Sequence, residues 1–318
     1  MYPMSQIPSK PMEYFTFNQK EFDYKYVVML SDIDQFKHMS FANYLKLMFL
    51  ASDALFLAFS KTHQDFFDKT HLKPLLSQMH FKHQTAFGDE ILVKVHSANI
   101  TPRGFILYYR FTTEGDALPV AHGRQEFEAM EVETGKKIIV PESLKSFLST
   151  IQMDASENFS DIKPTGEFSV KNVAGNSKVF SFNKCVVFFK HTNQLGFAHP
   201  YNFMEWTSYV REAYFQETVS NFMEVLQRPI KMMTTKISSA VLNDSEFGDT
   251  FEARLTVGKI KKVSFDMIIR FVNIKKREVA CETVHTIVFV DTKAASFAPI
   301  PKEMLDVIVN YQEPEIVR

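Results

Sequence analysis

Hydrophobic and polar positions follow one pattern twice along this chain. In the second half, the apolar run from Cys185 to Phe189 predicts a buried strand, and the polar residues 191–196 predict a turn. From Pro200 onward apolar residues recur every three or four positions, which predicts a helix, and proline suits the first helical position. A polar turn leading into a helix N-terminus presents backbone amides beside polar side chains, a setting suited to binding a polarised carbonyl group.

The first half shows the same order of elements. Residues 24–30 predict a strand, residues 31–38 a polar turn and residues 41–59 a very apolar helix. In each half four further strands and a short helix are predicted after the long helix. Matched motifs such as Gly88-Asp89 and Gly248-Asp249 lie 160 residues apart, and this register persists over more than a hundred residues. The sequence therefore predicts an internal repeat.

The repeat predicts two domains of ordinary size. We expect an N-terminal extension over residues 1–20, a first domain over 21–150, a linker over 151–177 and a second domain over 178–318. The linker is rich in Ser, Asp, Asn, Gly and Lys, and it lacks periodic apolar residues.

The composition argues against one class of partner and favours one cellular compartment. A net charge of −1 argues against nucleic acid as a partner, because phosphate binding requires a clustered excess of positive charge. Cys185 and Cys281 lie in apolar, strand-like runs, which indicates buried free thiols in a reducing compartment, and we expect the protein in the cytoplasm. The N-terminus does not resemble a signal peptide. The apolar helix over 41–59 carries Lys46 and Asp53, so we interpret it as a buried helix and expect no membrane span.

Several residues within this pattern resemble a known family. Asp32-Ile33-Asp34 with His38, followed by Ala42-Asn43-Tyr44-Leu45, resembles the D-x-D-x-x-G-H and A-N-Y-L signature of thioesterases typified by 4-hydroxybenzoyl-CoA thioesterase. Lys37 stands where that signature has glycine. The second half is more similar to the enediyne-polyketide thioesterases, through Thr192-Asn193, Gly196, Tyr201-Asn202-Phe203, Trp206 and Arg211-Glu212.

The resemblance implies an α+β fold, a tandem double hotdog in which each half is a long central helix wrapped by a curved antiparallel sheet. Hotdog domains ordinarily pair and form active sites between their helices and sheets. A tandem chain would then be an intramolecular pseudo-dimer with two non-equivalent pockets. A homodimer of double hotdogs is a further expectation that the sequence leaves open.

The same resemblance implies an acyl thioesterase that acts on an acyl-CoA or acyl-carrier-protein thioester without a cofactor or metal. Asp34 occupies the family position of the nucleophile or base. In the second half Asn193 replaces this acid, and Arg211 follows 18 residues later, as in the enediyne branch. Helix and loop lengths allow these two residues to meet. We therefore expect one pocket in which Asn193 orients water and Arg211 stabilises the oxyanion. Substrate-binding residues are expected to be Gly196, His38, Asn202 and Tyr201.

Other interpretations stay open at this point. Asp34 can be a carboxylate that caps its own turn, and Arg211 can pair with Glu205. A non-catalytic protein that binds acyl thioesters or acts as a scaffold is one alternative function, and a hotdog hydratase or dehydratase is another. Because Arg110 and Arg270 recur at the same place in both halves, we interpret them as structural ion-pair residues.

Overall fold

A computed structural model describes residues 15–18, 21–34, 37–113, 118–153, 159–162 and 178–313. The first half contains β1 (Phe15–Asn18), β2 (Glu21–Val27), α1 (Phe41–Ser60), α2 (Phe66–Lys69), β3 (Thr70–Phe81), β4 (Glu90–Thr101), β5 (Gly104–Thr113), β6 (Pro119–Glu131), β7 (Lys137–Ile138) and α3 (Glu142–Thr150). The second half contains β8 (Phe180–Val186), α4 (Pro200–Thr218), α5 (Phe222–Gln227), β9 (Ile230–Val241), β10 (Thr250–Ile260), β11 (Ser264–Asn273), β12 (Val279–Asp291), β13 (Ser296–Phe297) and α6 (Lys302–Ile308).

The described strands form one continuous 13-stranded sheet. Its order is β1-β2-β4-β5-β6-β3-β9-β12-β11-β10-β8, with β7 added to β6 and β13 added to β12. The two halves join where β3 pairs antiparallel with β9, from Leu76 opposite Ala240 to His80 opposite Lys236. Each half-sheet packs against its own long helix. The predicted tandem double hotdog is therefore the observed architecture.

Helix α1 is apolar on almost every side because the sheet and α4 surround it. Leu45, Met48 and Leu55 are completely buried, and the Phe56 ring packs edge-on against Phe127 with 5.5 Å between ring centres. By length and composition α1 could cross a membrane, but 61% of its apolar window is buried inside the protein. Burial of this kind is typical of the core helix of a folded domain.

Helix α4 begins as the sequence predicts. Pro200 occupies the first turn, and the preceding His199 accepts a hydrogen bond from the Tyr201 amide at its Nδ1 atom, 3.2 Å away. This cap satisfies one of the amides that the first turn of a helix leaves without a partner. Phe203 and Trp206 then pack into the second half-sheet, against Phe251, Phe271 and each other.

The repeated motifs have the structural roles that their spacing indicates. Gly88 and Gly248 adopt φ angles of +90° and +85° in equivalent turns, which glycine tolerates at little cost. Asp89 and Asp249 accept hydrogen bonds from amides of their own turns, at 2.8 and 2.9 Å. Gly88-Asp89 and Gly248-Asp249 are therefore turn residues with the same role in each half.

Arg270 lies on the outer face of the sheet and forms the structural ion pairs that its repetition indicates. Its Nε atom donates to the buried carboxylate of Glu282 at 2.6 Å, and its Nη1 atom pairs with Glu313 near the end of the described chain. Cys185 and Cys281 are buried free thiols, as expected.

The described part of the predicted linker packs on the outer face of the first half-sheet. Phe159 and Ile162 are buried, and Asp161 accepts hydrogen bonds from His122 at 2.9 Å and from Lys82 at 2.9 Å. The remaining linker residues, 154–158 and 163–177, lie outside the described residues, as do residues 1–14, on which the signal-peptide expectation rests. Strand β1 falls inside the predicted N-terminal extension and adds an edge to the sheet.

Candidate active site

Two cavities lie at equivalent positions, each between the loop of one half and the long helix of the other half. The Arg211 pocket, about 1250 Å³, is lined by Asp34 and residues 38–44 of the first half and by α4 and β9 of the second half. The Asn193 pocket, about 380 Å³, is lined by loop residues of the second half and by α1 and β3 of the first half. Each pocket is therefore a composite of both halves.

Arg211 is fixed on the wall of the larger pocket. Its Nη1 atom donates to Thr234 Oγ1 on β9 at 3.1 Å, and the guanidinium lies 4.6 Å from the centre of the Phe41 ring. Burial lowers the pKa of Arg211, and the negative charges of Glu212 and Asp34 act in the opposite direction. The guanidinium of Arg211 still stays protonated at pH 7, because an arginine side chain loses its proton only at a much higher pH. The pocket therefore contains a fixed positive charge.

Three further predicted site residues line the Arg211 pocket. Asp34 is exposed to the cavity, and its Oδ1 atom is 3.4 Å from the His38 amide, a long hydrogen bond. Tyr201 comes from the start of α4, where burial and the charge of Glu205 raise its pKa to about 12. Tyr201 therefore remains a neutral hydroxyl donor. The pocket combines a loop carboxylate, a helix guanidinium and polar donors.

In the smaller pocket, Asn193 is held in one orientation. Its Oδ1 atom accepts from the amides of Leu195 at 2.9 Å and Phe197 at 3.2 Å, so its Nδ2 atom must face His71 Nε2, 3.1 Å away. An amide nitrogen can only donate, so His71 accepts at Nε2 and carries its proton on Nδ1. Burial, aided by Lys73, lowers the pKa of His71 to about 4, which keeps the ring neutral at pH 7.

Asp53 projects from α1 into the same cavity. Its carboxylate is open to the cavity, but aromatic side chains from both halves, including Phe49, Phe56 and Phe203, form the surrounding walls. This apolar surrounding disfavours the charged form and raises the pKa of Asp53 to about 6. A carboxyl group that titrates near neutral pH inside a cavity is a candidate for acid–base chemistry.

The loops of the two pockets share one backbone geometry. In the second half the Asn193 amide donates to Phe197 O at 2.8 Å, and Gly196, with φ +78°, donates to Asn193 O at 2.9 Å. In the first half Asp34 and Lys37 form the same two bonds, both at 2.9 Å, and Lys37 adopts φ +64°. The departure from glycine at Lys37 therefore leaves the turn unchanged.

Asn202 fixes the loop to the start of α4. Its Nδ2 atom donates to His191 O at 2.8 Å and to His199 O at 2.9 Å, and the side chain is 6% exposed. Asn43 makes the equivalent bond to Asp32 O at 2.9 Å in the first half. The geometry gives Asn202 a structural role, in place of the substrate contact that we expected from the sequence.

The model of the thioesterase-like superfamily matches residues 28–148 and residues 190–308, which is one match to each half. The chain belongs to the thioesterase-like superfamily. A search of curated proteins gives no match.

Solved structures share the whole architecture of this thioesterase-like chain. The 12:0-ACP thioesterase from Umbellularia californica superposes with a TM-score of 0.64 at 8% identity, over 85% of this chain and 94% of that chain. An acyl-ACP thioesterase from Bacteroides thetaiotaomicron superposes with a TM-score of 0.59 at 11% identity, over 86% and 100%. At such identities the likeness is one of fold, and it confirms the double hotdog.

The thioesterase-like fold separates the two residues that we expected to share a pocket. Asp34, His38, Tyr201 and Arg211 line the Arg211 pocket, whereas Asn193 lines the other pocket. The prediction that Asn193 and Arg211 meet is wrong, because each long helix faces the loop of the opposite half. Gly196 shapes the loop beside Asn193 through its positive φ angle.

Sequence reasoning missed two residues of this thioesterase-like chain. Asp53 and His71 line the Asn193 pocket, and neither belongs to a motif that the sequence displays. The available signal for Asp53 was its position as a charged residue inside a very apolar helix. His71 carries no comparable signal, because it meets Asn193 only through contact between the halves. The closer likeness of the second half to the enediyne branch stays a prediction.

Proposed function

We propose that this protein hydrolyses acyl thioesters in the Arg211 pocket. One observation carries the choice of pocket: the carboxylate of Asp34 and the guanidinium of Arg211, from opposite halves, line the same cavity of about 1250 Å³. Membership of the thioesterase-like superfamily supports thioester hydrolysis as the activity. The comparisons favour neither a hydratase nor a non-catalytic binding protein.

Thioester hydrolysis needs a group that activates water or attacks the carbonyl carbon, and a donor that stabilises the negative charge on the carbonyl oxygen. Asp34 supplies the first function from the loop. Arg211 supplies the second, and its bond to Thr234 holds the guanidinium in place before substrate arrives. Water adds to the carbonyl carbon, the carbon–sulfur bond breaks, and the products are a carboxylic acid and a free thiol.

The substrate class that we propose is an acyl-CoA or an acyl carrier protein thioester. The walls of the Arg211 pocket combine polar groups such as Asp34 with apolar side chains, which suits a polar thioester joined to an acyl chain; the apolar residues include Phe41, Phe215, Met232, Val288 and Val290. The names of the two structural relatives, a 12:0-ACP and an acyl-ACP thioesterase, support a fatty acyl group.

The test is release of free thiol by the purified protein from a panel of acyl-CoA and acyl carrier protein thioesters of different chain lengths. Arg211→Gln removes the charged donor, and we expect a fall in kcat of roughly a hundredfold, the usual effect of losing one oxyanion donor. Asp34→Asn preserves shape but removes the base or nucleophile, and we expect a loss of at least the same size.

Two matched controls accompany these variants. Ser52→Ala changes the helix position equivalent to Arg211 but lies in the other pocket, and Asp306→Asn removes an exposed carboxylate on α6. Both should retain the wild-type activity toward the best substrate of the panel. Absence of thiol release from every substrate would reject the activity, and full activity in both Asp34→Asn and Arg211→Gln would reject the pocket.

We also propose that the protein is cytoplasmic, because two buried free thiols suit a reducing compartment. Both pockets draw their walls from the two halves of one chain, so a second copy is not required to complete either of them. Sedimentation or light scattering on the purified protein measures whether double hotdogs pair in solution.

A further inference from the structure

The smaller cavity has the same construction as the larger one, with the halves exchanged. Each pocket is built from a loop, the opposite long helix and the strand that follows that helix. On the helices, Asp53 of α1 and Glu212 of α4 occupy equivalent positions, and each lines its pocket. Both pockets therefore contain a carboxylate from a helix, and the Arg211 pocket also has the carboxylate of Asp34 at the loop position where the Asn193 pocket has an amide.

We propose that the Asn193 pocket is a second hydrolytic site, in which Asp53 activates water and Asn193 donates a hydrogen bond to the thioester oxygen. This inference rests on the proposed thioesterase function and extends it to a site with different residues. In this site the loop and the helix exchange roles. The helix supplies the carboxylate that acts as the base, and the loop supplies the hydrogen-bond donor.

The geometry of Asn193 suits a donor. Its oxygen is fully engaged by two loop amides, and its nitrogen lies 3.1 Å from His71 Nε2. A side-chain amide nitrogen carries two hydrogens, so the second can bond to a carbonyl oxygen in the cavity. His71 and the loop prevent rotation of the amide, which gives the pre-organisation that oxyanion stabilisation requires.

Hydrolysis at this site needs no reactant besides the thioester and water. The Asp53 carboxylate accepts a proton from water while the water oxygen attacks the carbonyl carbon of the thioester. The tetrahedral intermediate then expels the thiolate as the carbon–sulfur bond breaks. The proton held by Asp53 passes to the thiolate sulfur, which regenerates the carboxylate and releases one acid and one thiol.

The pH dependence of this site follows from the ionisation of Asp53. Only the carboxylate can accept a proton, and the pKa of Asp53 is raised to about 6, so activity here falls as pH drops through about 6. The other titratable groups of the cavity are His71 and Lys73 on β3, His199 before α4, and Asp244, which pairs with Lys73. Both histidines have pKa values near 4, caused mainly by burial, and they remain neutral across this range.

The experiment isolates the second site by inactivating the first. In the Asp34→Asn background we expect a residual thiol release, measured on the acyl-CoA panel, that rises with pH and reaches half its maximum near pH 6. Adding Asp53→Asn should reduce this residual rate to the rate of the reaction without protein. Adding Asn193→Ala should lower it by roughly a hundredfold, as for the loss of another oxyanion donor. The smaller cavity further predicts that residual activity favours shorter acyl groups than the wild type does.

Controls separate this inference from the proposed function. Asp306→Asn in the Asp34→Asn background should leave the residual rate unchanged, and the thermal unfolding temperature of each variant reports whether it folds. If the wild type releases no thiol, the proposed function fails. If the wild type is active but Asp34→Asn alone falls to the uncatalysed rate, or its residual rate survives Asp53→Asn, the second site is rejected and the first is retained.

Discussion

The backbone at Lys37 provides a sharp test of how the two loops are related. Lys37 and Gly196 occupy the same position in equivalent turns, with φ angles of +64° and +78°. A residue with a side chain is strained in this left-handed region by roughly 1–2 kcal/mol, whereas glycine is not. We therefore expect Lys37→Gly to stabilise the protein, although most substitutions by glycine destabilise.

The size of the effect follows from two opposing contributions. Substitution by glycine removes the strain of roughly 1–2 kcal/mol, but it increases the entropy of the unfolded chain at a cost of roughly 0.4–1 kcal/mol. The expected net gain for Lys37→Gly is about 0.5–1 kcal/mol. Gly196→Ala should lose about the same amount, because no atom lies within 4 Å of the added Cβ, and the backbone strain is partly offset by the lower entropy of the unfolded chain.

Equilibrium unfolding in urea measures both changes, through the midpoint at a constant slope. Lys190→Gly is the matched control: Lys190 is an exposed lysine in the short 3₁₀ turn before Asn193, outside the positive-φ region, and its loss should destabilise. Thiol release by Lys37→Gly should stay within about twofold of the wild type, because the turn that presents Asp34 is already formed. A destabilisation of Lys37→Gly equal to that of Lys190→Gly would refute the shared turn geometry.

Two further predictions concern the core and the outer face. In the first half Tyr44 and Thr85 share a buried hydrogen bond of 2.8 Å. In the second half Phe203 stands in place of Tyr44 and Ser245 in place of Thr85, and the buried hydroxyl of Ser245 has no partner in the described structure. Phe203→Tyr should therefore raise the free energy of unfolding by roughly 0.5–1.5 kcal/mol, and a loss of stability in urea unfolding would contradict this reasoning. Arg270→Ala should cost roughly 3–5 kcal/mol because it leaves a buried carboxylate unpaired, and an unchanged urea midpoint would show that the ion pair is not structural.

The secondary structure could be predicted from the sequence because it depends on local periodicity. The apolar pattern predicts a helix over residues 41–59, and α1 spans Phe41–Ser60. Alternation and turn signals predict a strand over residues 90–100, and β4 spans Glu90–Thr101. The constant spacing of the two Gly-Asp turns revealed the repeat. Each turn needs a glycine at positive φ and an aspartate that accepts hydrogen bonds from backbone amides, so both residues recur in each half.

Only some of the residues that form the candidate site could be predicted from the sequence. Asp34, His38 and Arg211 were found because they occupy positions of family motifs, and all three line one cavity. The prediction that Asn193 joins Arg211 was wrong. The lengths of the loop and helix between these two residues allow a contact, but the fold places them in different pockets. The contact between Asn193 and His71 joins residues far apart in sequence, and no local pattern carries that information.

Each pocket takes its loop from one half and its long helix from the other, and this arrangement explains how the residues of the two pockets can diverge. Since β3 pairs with β9, the long helices lie side by side and each meets the loop of the other half. A substitution in one loop therefore changes one pocket, while a substitution farther along the helix that follows it, at Asp53 or Arg211, changes the other. Asp34 and Arg211 came together in this way from separate halves, and so did Asn193 and Asp53. A chain with two such units can keep one pocket constant while the residues of the second change, which is the condition under which two sites acquire different substrates.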